Sequence, residues 1–179
     1  MIITAPVAHP LSADDPRLAP WRAFLTAHAR ISRRLDEELR ADHDLSLAEY
    51  DALLTIARTP GRRIRMGQLA EEVILSKSGV TRLIDRLVSD GLVERGVCLA
   101  DARGAEAVLT ARGMDRLRSA SSTHLRGISE HFLAALEPAD LAVIERSMTA
   151  IARQAGPEAD ERGHCAVDPV APRNSSRGR

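Results

Sequence analysis

The chain has 179 residues, enough for one well-buried domain with tails. Its aromatic side chains are Trp21, Phe24, Tyr50 and Phe132 alone, so a core must be built from Leu, Ile, Val and Ala, which favours helices packed on helices. A formal net charge of zero excludes attachment to nucleic acid or membrane by bulk electrostatics and leaves only the local placement of charge.

The only cysteines, Cys98 and Cys165, are too few for a disulfide framework, and a reducing cytoplasm is the expected setting. Residues 1–11 lack the basic leader and sustained apolar run of a signal peptide. No window approaches the roughly 20 apolar residues of a membrane span. A soluble, cytoplasmic protein with no membrane partner is expected.

Residues 1–16 read as a flexible arm. A long first helix is expected over residues 17–41, where Trp21, Phe24, Leu25, His28, Ile31, Leu35 and Leu39 recur at helical spacing and arginines fill the other faces. Ser46 followed by Glu49 is a capping-box signature. The helix it opens carries Tyr50, Leu53, Leu54 and Ala57 inward until Thr59, Pro60 and Gly61 stop it. Residues 68–73 predict a short helix, and Ser76 offers the next N-cap. Lys77–Ser89 follows, with Val80, Leu83, Ile84 and Leu87 on one face and Gly91 past its end. Two short helices separated by a few residues are the plan of a helix-turn-helix.

Residues 92–95 and 107–109 read as the two strands of a hairpin wing, turning at Asp101, Ala102, Arg103 and Gly104. Thr110 caps a fifth helix expected to run on through Phe132, Leu133 and Leu136. Pro138 opens a sixth with Leu141, Ile144, Met148 and Ile151 as one stripe. Residues 156–179, rich in Gly, Pro, Ser and Arg, read as a disordered tail.

In a helix-turn-helix the second helix enters the major groove, so its solvent face needs side chains that reach bases and phosphates. Removing the apolar set leaves Ser76, Lys77, Ser78, Thr81, Arg82 and Arg86 for double-stranded DNA. Ser76 and Lys77 sit where free amides and the helix dipole attract a phosphate, and Arg82 is the first choice for a contact in the groove. Against this, residues 66–110 hold five basic side chains (Lys77, Arg82, Arg86, Arg95, Arg103) and seven acidic ones (Glu71, Glu72, Asp85, Asp90, Glu94, Asp101, Glu106). Arg62, Arg63 and Arg65 before the segment and Arg112 after it offset the excess. The excess nevertheless keeps open a winged-helix module that binds protein instead of DNA.

Four motifs then appear in order: Met66-Gly67-Gln68-Leu69-Ala70, Val80-Thr81-Arg82-Leu83-Ile84-Asp85-Arg86-Leu87, Gly91-Leu92-Val93-Glu94-Arg95, and Asp101-x-Arg103 followed by Leu109-Thr110-x-x-Gly113. In this spacing the chain resembles the MarR family of winged-helix regulators over about residues 17–155. The resemblance implies a mainly α fold: a winged helix-turn-helix lobe over about residues 47–110, a two-stranded β-wing, and dimerisation helices over about 17–41 and 111–155. It implies a homodimer on a pseudo-palindromic operator, most often a repressor released by a small-molecule effector. It also makes Arg103 the wing arginine of the minor groove and Asp101 the partner that orients it. A narrow A·T-rich groove has the negative potential that attracts such an arginine.

The family's effector cleft lies between its dimer helices and DNA-binding lobe. His28, on the apolar stripe of the first helix, is a candidate polar group there, or else a hydrogen-bonded interface residue. Asp51, Arg82 and Arg95 fall where the urate-responsive branch places ligand-coupling residues, but Trp21 does not match that branch's tryptophan. Cys98 beside the wing offers a redox-responsive alternative, because oxidation there would disturb DNA contact. Glycine-rich phosphate loops, nucleophile elbows and paired catalytic carboxylates are lacking, so no catalytic residue and no cofactor is expected. The histidines show no close His-x-x-x-His spacing, and no metal is expected.

Overall fold

The computed structural model describes residues 12–73, 77–98 and 101–155, with backbone alone at residues 77, 97, 98 and 101–104. The expected tail at 156–179 and most of the N-terminal arm lie outside the described residues. Asp15 caps a short 3-10 turn at Pro16–Leu18, and helix α1 (Ala19–His43) follows directly. It ends at Asp44, which takes a left-handed conformation at φ 49° and returns its amide to Arg40.

Helix α2 (Leu47–Arg58) starts on the capping box expected from Ser46 and Glu49. The Ser46 hydroxyl accepts from the Glu49 amide, and the Glu49 carboxylate accepts from the Ser46 amide at 2.7 Å. After Pro60 and Gly61 the chain enters a strand that periodicity did not announce, β1 (Arg63–Arg65). Helices α3 (Met66–Glu72) and α4 (Lys77–Ser89) come next, then strands β2 (Val93–Cys98) and β3 (Asp101–Leu109). The sheet is therefore three-stranded and antiparallel, in the order β1-β3-β2, where the sequence suggested two strands. A three-residue strand is too short to show a period, and its partner lies more than forty residues away: Ile64 faces Ala107.

Helix α5 (Ala111–His131) is shorter than its apolar spacing suggested. The segment expected to continue it instead tightens into a 3-10 turn at Leu133–Ala135, and Leu136 is extended. Pro138 has no amide to donate and disfavours helix in the residue before it, so the chain breaks ahead of helix α6 (Pro138–Ala155).

One core joins α2, α3, α4, the sheet, the last turns of α1 and the first half of α5. Leu39, Leu53, Ile56, Leu69, Ile84 and Leu87 are wholly buried in it. The α4–β2 corner turns on Gly91, whose φ of +69° few side chains could adopt. Across the same corner Thr110 caps α5 by accepting from the Gly113 amide while donating to the Gly91 and Leu92 carbonyl groups. A side chain at Gly113 would collide with the Leu92 carbonyl, which is the physical content of the Leu109-Thr110-x-x-Gly113 motif.

Candidate nucleic-acid interface

Helix α4 is divided along its length. Val80, Ile84 and Leu87 are buried, with Leu83 and Val88 packed beside them, while Ser78, Thr81, Arg82, Asp85 and Arg86 form an exposed face. The apolar spacing is what turns that polar face outward. Arg82 is exposed and unengaged by any hydrogen bond or ion pair among the described residues, so its guanidinium can be offered whole to a base edge or phosphate. Ser78 and Thr81 share the exposed face. Ser76 lies outside the described residues, as do the side chains of Lys77, Asp101, Arg103 and Cys98.

Arg86, grouped with Arg82 by sequence, has a second task. Its Nε donates at 2.9 Å to Glu49 Oε1, and Glu49 is almost wholly buried. The other Glu49 oxygen accepts from both the amide and the hydroxyl of Ser46. Arg86 therefore ties the reading helix to the start of α2, and only the part of its guanidinium left in solvent can meet a phosphate. Glu49 was legible as a capping residue but not as this anchor, since nothing in the sequence links it to a residue 37 positions on.

One acidic side chain of the segment is answered from outside it, by Arg63, and another from within it, by Arg95. Asp85 receives a hydrogen bond from Arg95 of β2, and buried Glu106 of β3 lies 3.7 Å from Arg63 of β1. Both arginines flank the motif-bearing strands, and Arg63 stands on the strand that sequence reading missed.

The wing is longer than expected. Strand β3 begins at Asp101, opposite Cys98, so Asp101 to Gly104, taken from sequence as the turn itself, belong to the strand. The register slips between Val97, paired with Ala105, and Cys98, paired with Asp101, so the backbone at residues 102–104 is surplus to the ladder. Arg103 thus sits on a bulge of β3, where the chain departs from regular pairing.

The three ligand candidates occupy three settings. His28 is on the exposed N-terminal half of α1, its ring 6.1 Å from Phe24 and, through it, in line with Trp21. Arg95 is held by Asp85. Asp51 of α2 is half-buried, and burial raises its carboxyl above the ordinary value. Its titratable neighbour is His124 of α5, which burial pushes the other way, below the ordinary imidazole value. The His124 ring lies 4.3 Å from Tyr50, and its Nδ1 is buried without a hydrogen-bond partner. His124 and Tyr50 were passed over as ligand candidates, because only the packing of α2 on α5 brings them beside Asp51.

A buried-face, polar-face helix standing beside a strand hairpin defines a winged helix-turn-helix protein. Within that class, residues 43–104 of the chain match the model of the MarR family. Its fold is similar to AbsC, a MarR family transcriptional regulator from Streptomyces coelicolor, at 29% identity and a TM-score of 0.72, covering 82% of this chain and 97% of that one. A second MarR family regulator of that organism, solved in complex with DNA, gives 27% identity and a TM-score of 0.75, with 84% and 92% of the two chains covered. A MarR family regulator from Silicibacter pomeroyi gives 26% identity and a TM-score of 0.66, covering 81% and 99%. Comparison with curated proteins finds no match. All three of these solved proteins are transcriptional regulators of the MarR family. No helix among the described residues is long and apolar enough to cross a membrane.

Proposed function

We propose that this protein is a cytoplasmic, sequence-specific DNA-binding transcriptional regulator that occupies a pseudo-palindromic operator as a homodimer. The observation that carries the reading is the exposed polar face of α4 with the unengaged Arg82 on it. Similarity to a regulator solved on DNA supports it. Lys77, Ser78 and Thr81 join Arg82 in the major groove with Ser76 at the helix start, Arg86 adds a phosphate contact, and Asp101 and Arg103 carry the wing into the minor groove.

Two copies are needed for the second half of the proposal. Trp21, Phe24 and Leu25 of α1 and Leu141, Met148 and Ile151 of α6 are exposed apolar side chains, a combination that a second copy would cover. A two-fold dimer presents two reading helices about one DNA turn apart. Repression follows where such a dimer covers a promoter. Release by a small molecule is proposed at the junction of α2 and α5, where Asp51 already has a polar setting; His28 and Arg95 are outlying members of that set.

The test is fluorescence-anisotropy binding of the full chain to DNA upstream of its own gene and the neighbouring genes. Nanomolar binding to one inverted repeat, falling steeply with salt, is the expected result. Equal, weak binding to every fragment at low salt would overturn the proposal and leave the winged module to a protein partner.

A further inference from the structure

The seam between α1 and α5 is polar along its upper length. Arg116 donates to the His43 carbonyl, His43 Nε2 and Thr123 Oγ1 share a hydrogen bond, and Thr123 and Arg126 both donate to Asp42. One turn further along, His131 Nε2 meets Glu38 Oε1 at 2.6 Å. Each of these contacts is an ordinary interhelical bond. The end of the seam differs in that one acceptor is left over: Glu38 Oε2 is buried and has no hydrogen-bond partner.

That oxygen lies over Gly127, where a Cβ would stand 2.7 Å from it. The absent side chain is what leaves the carboxylate room between the helices. Beside it stands Glu130, so that one carboxylate oxygen of Glu38, one of Glu130 and a ring nitrogen of His131 fall within 4.8 Å of one another. Two carboxylates and an imidazole from two helices are a donor set that suits a first-row divalent cation.

We propose that Glu38, Glu130 and His131 bind a divalent cation of the zinc type at the end of the α1–α5 seam. Tetrahedral ligands about 2.1 Å from zinc stand about 3.4 Å apart, so the 2.6 Å approach of His131 to Glu38 must open while Glu130 draws in. Glu130 is exposed and can rotate to do it. Zinc replaces the proton that His131 Nε2 and Glu38 Oε1 hold between them: a neutral ring takes its proton at Nδ1, and an imidazolium releases one to solvent. Three protein ligands leave a position for water, and the ion would supply Glu38 Oε2 with the partner it lacks. The expectation that no metal binds rested on the spacing of histidines alone and had no view of carboxylates on a second helix.

The test uses the full chain stripped with a chelator and titrated with Zn2+ against a chromophoric competitor, without DNA, so that its outcome is independent of operator binding. One equivalent should bind, and Co2+ in its place should give a visible d–d absorption. Glu130→Gln and His131→Gln should each weaken Zn2+ binding by about tenfold or more and abolish the cobalt spectrum. A His164→Ala, Cys165→Ala double variant should bind as the parent does. Circular dichroism on Glu130→Gln, a change at an exposed position, verifies that the fold is kept. Parent-like affinity in both site variants, loss confined to the tail variant, or no binding by the parent would each overturn the proposal.

Discussion

The helix-turn-helix lobe and the outer helices solve the problem of apolar surface in opposite ways. In the lobe every large aliphatic side chain of the α4 face has a partner within the chain, and Leu53, Ile56, Ile84 and Leu87 retain no exposure. In α6 no residue is buried at all, and α1 buries only Leu35 and Leu39, near the end that enters the lobe. Trp21 is 55% exposed and Ile151 57%. The lobe is complete as a fold, whereas the outer helices carry an exposed apolar stripe that the proposed second copy would cover. Stability should therefore be sensitive to the lobe, and assembly to the outer helices.

The sharpest break comes from Leu53→Ala. Removing a fully buried leucine from the junction of α2 with the rest of the core should cost about 3 kcal/mol, read as a lower midpoint in urea. The quaternary state should persist in the fraction that stays folded. A cost under about 1 kcal/mol would mean that the lobe core repacks freely, against the density expected of such interiors.

The complementary break is the pair Trp21→Glu with Ile151→Glu. Sedimentation should show monomers, and operator affinity should fall by about a hundredfold or more as two linked contacts become one. The lobe should still melt cooperatively. If the variant sediments as a dimer, the exposed stripes are not the interface.

A smaller effect separates two arginines one helical turn apart. Arg86→Ala strips the buried Glu49 of its ion pair and should destabilise the lobe by about 1 kcal/mol, discounted because half of the arginine is in solvent. It should also weaken binding to every DNA sequence alike. Arg82→Ala removes a side chain with no hydrogen bond or ion pair among the described residues and should leave stability within about 0.5 kcal/mol while reducing operator affinity. Matching stability losses in the two variants would end the distinction between anchor and reader.

How much of this was legible follows the range of the forces involved. The reading helix was placed at Lys77–Ser89 from sequence and the structure agrees, because Val80, Leu83, Ile84 and Leu87 write a period of 3.6 that only a helix satisfies. The Ser46–Glu49 cap was equally local. Strand β1 was missed because its pairing to β3 is set across the chain, and α5 was drawn too long because Phe132 and Leu133 keep the helical spacing after the helix has ended. In the candidate site, the exposure of Arg82 could be read from pattern alone. The anchoring of Arg86 by Glu49, the pairing of Arg95 with Asp85, and the meeting of Asp51 with His124 could not, since each joins elements whose relative placement sequence spacing does not encode.

The smallest predicted effect tests the boundary between the two regions, where α5 leaves the lobe. His124 is held below its ordinary value near 6.5 by burial, with the Asp51 charge opposing. Its contribution to stability is thus fully present above pH 6.5 and is lost as pH falls through the lower folded value. Asp51 has the opposite sign: raised above its ordinary 3.8 by burial, it contributes fully below that value and loses the contribution as pH rises through its folded value. Between about pH 7 and pH 5 the His124 effect should make the parent lose melting temperature, and His124→Gln should lose less over the same interval. The comparison of slopes is needed because His43 and His131 also lie in the seam. Parallel curves for parent and variant would show that the Asp51–His124 contact stays accessible to water, so that the junction belongs with the solvated outer helices and not with the lobe.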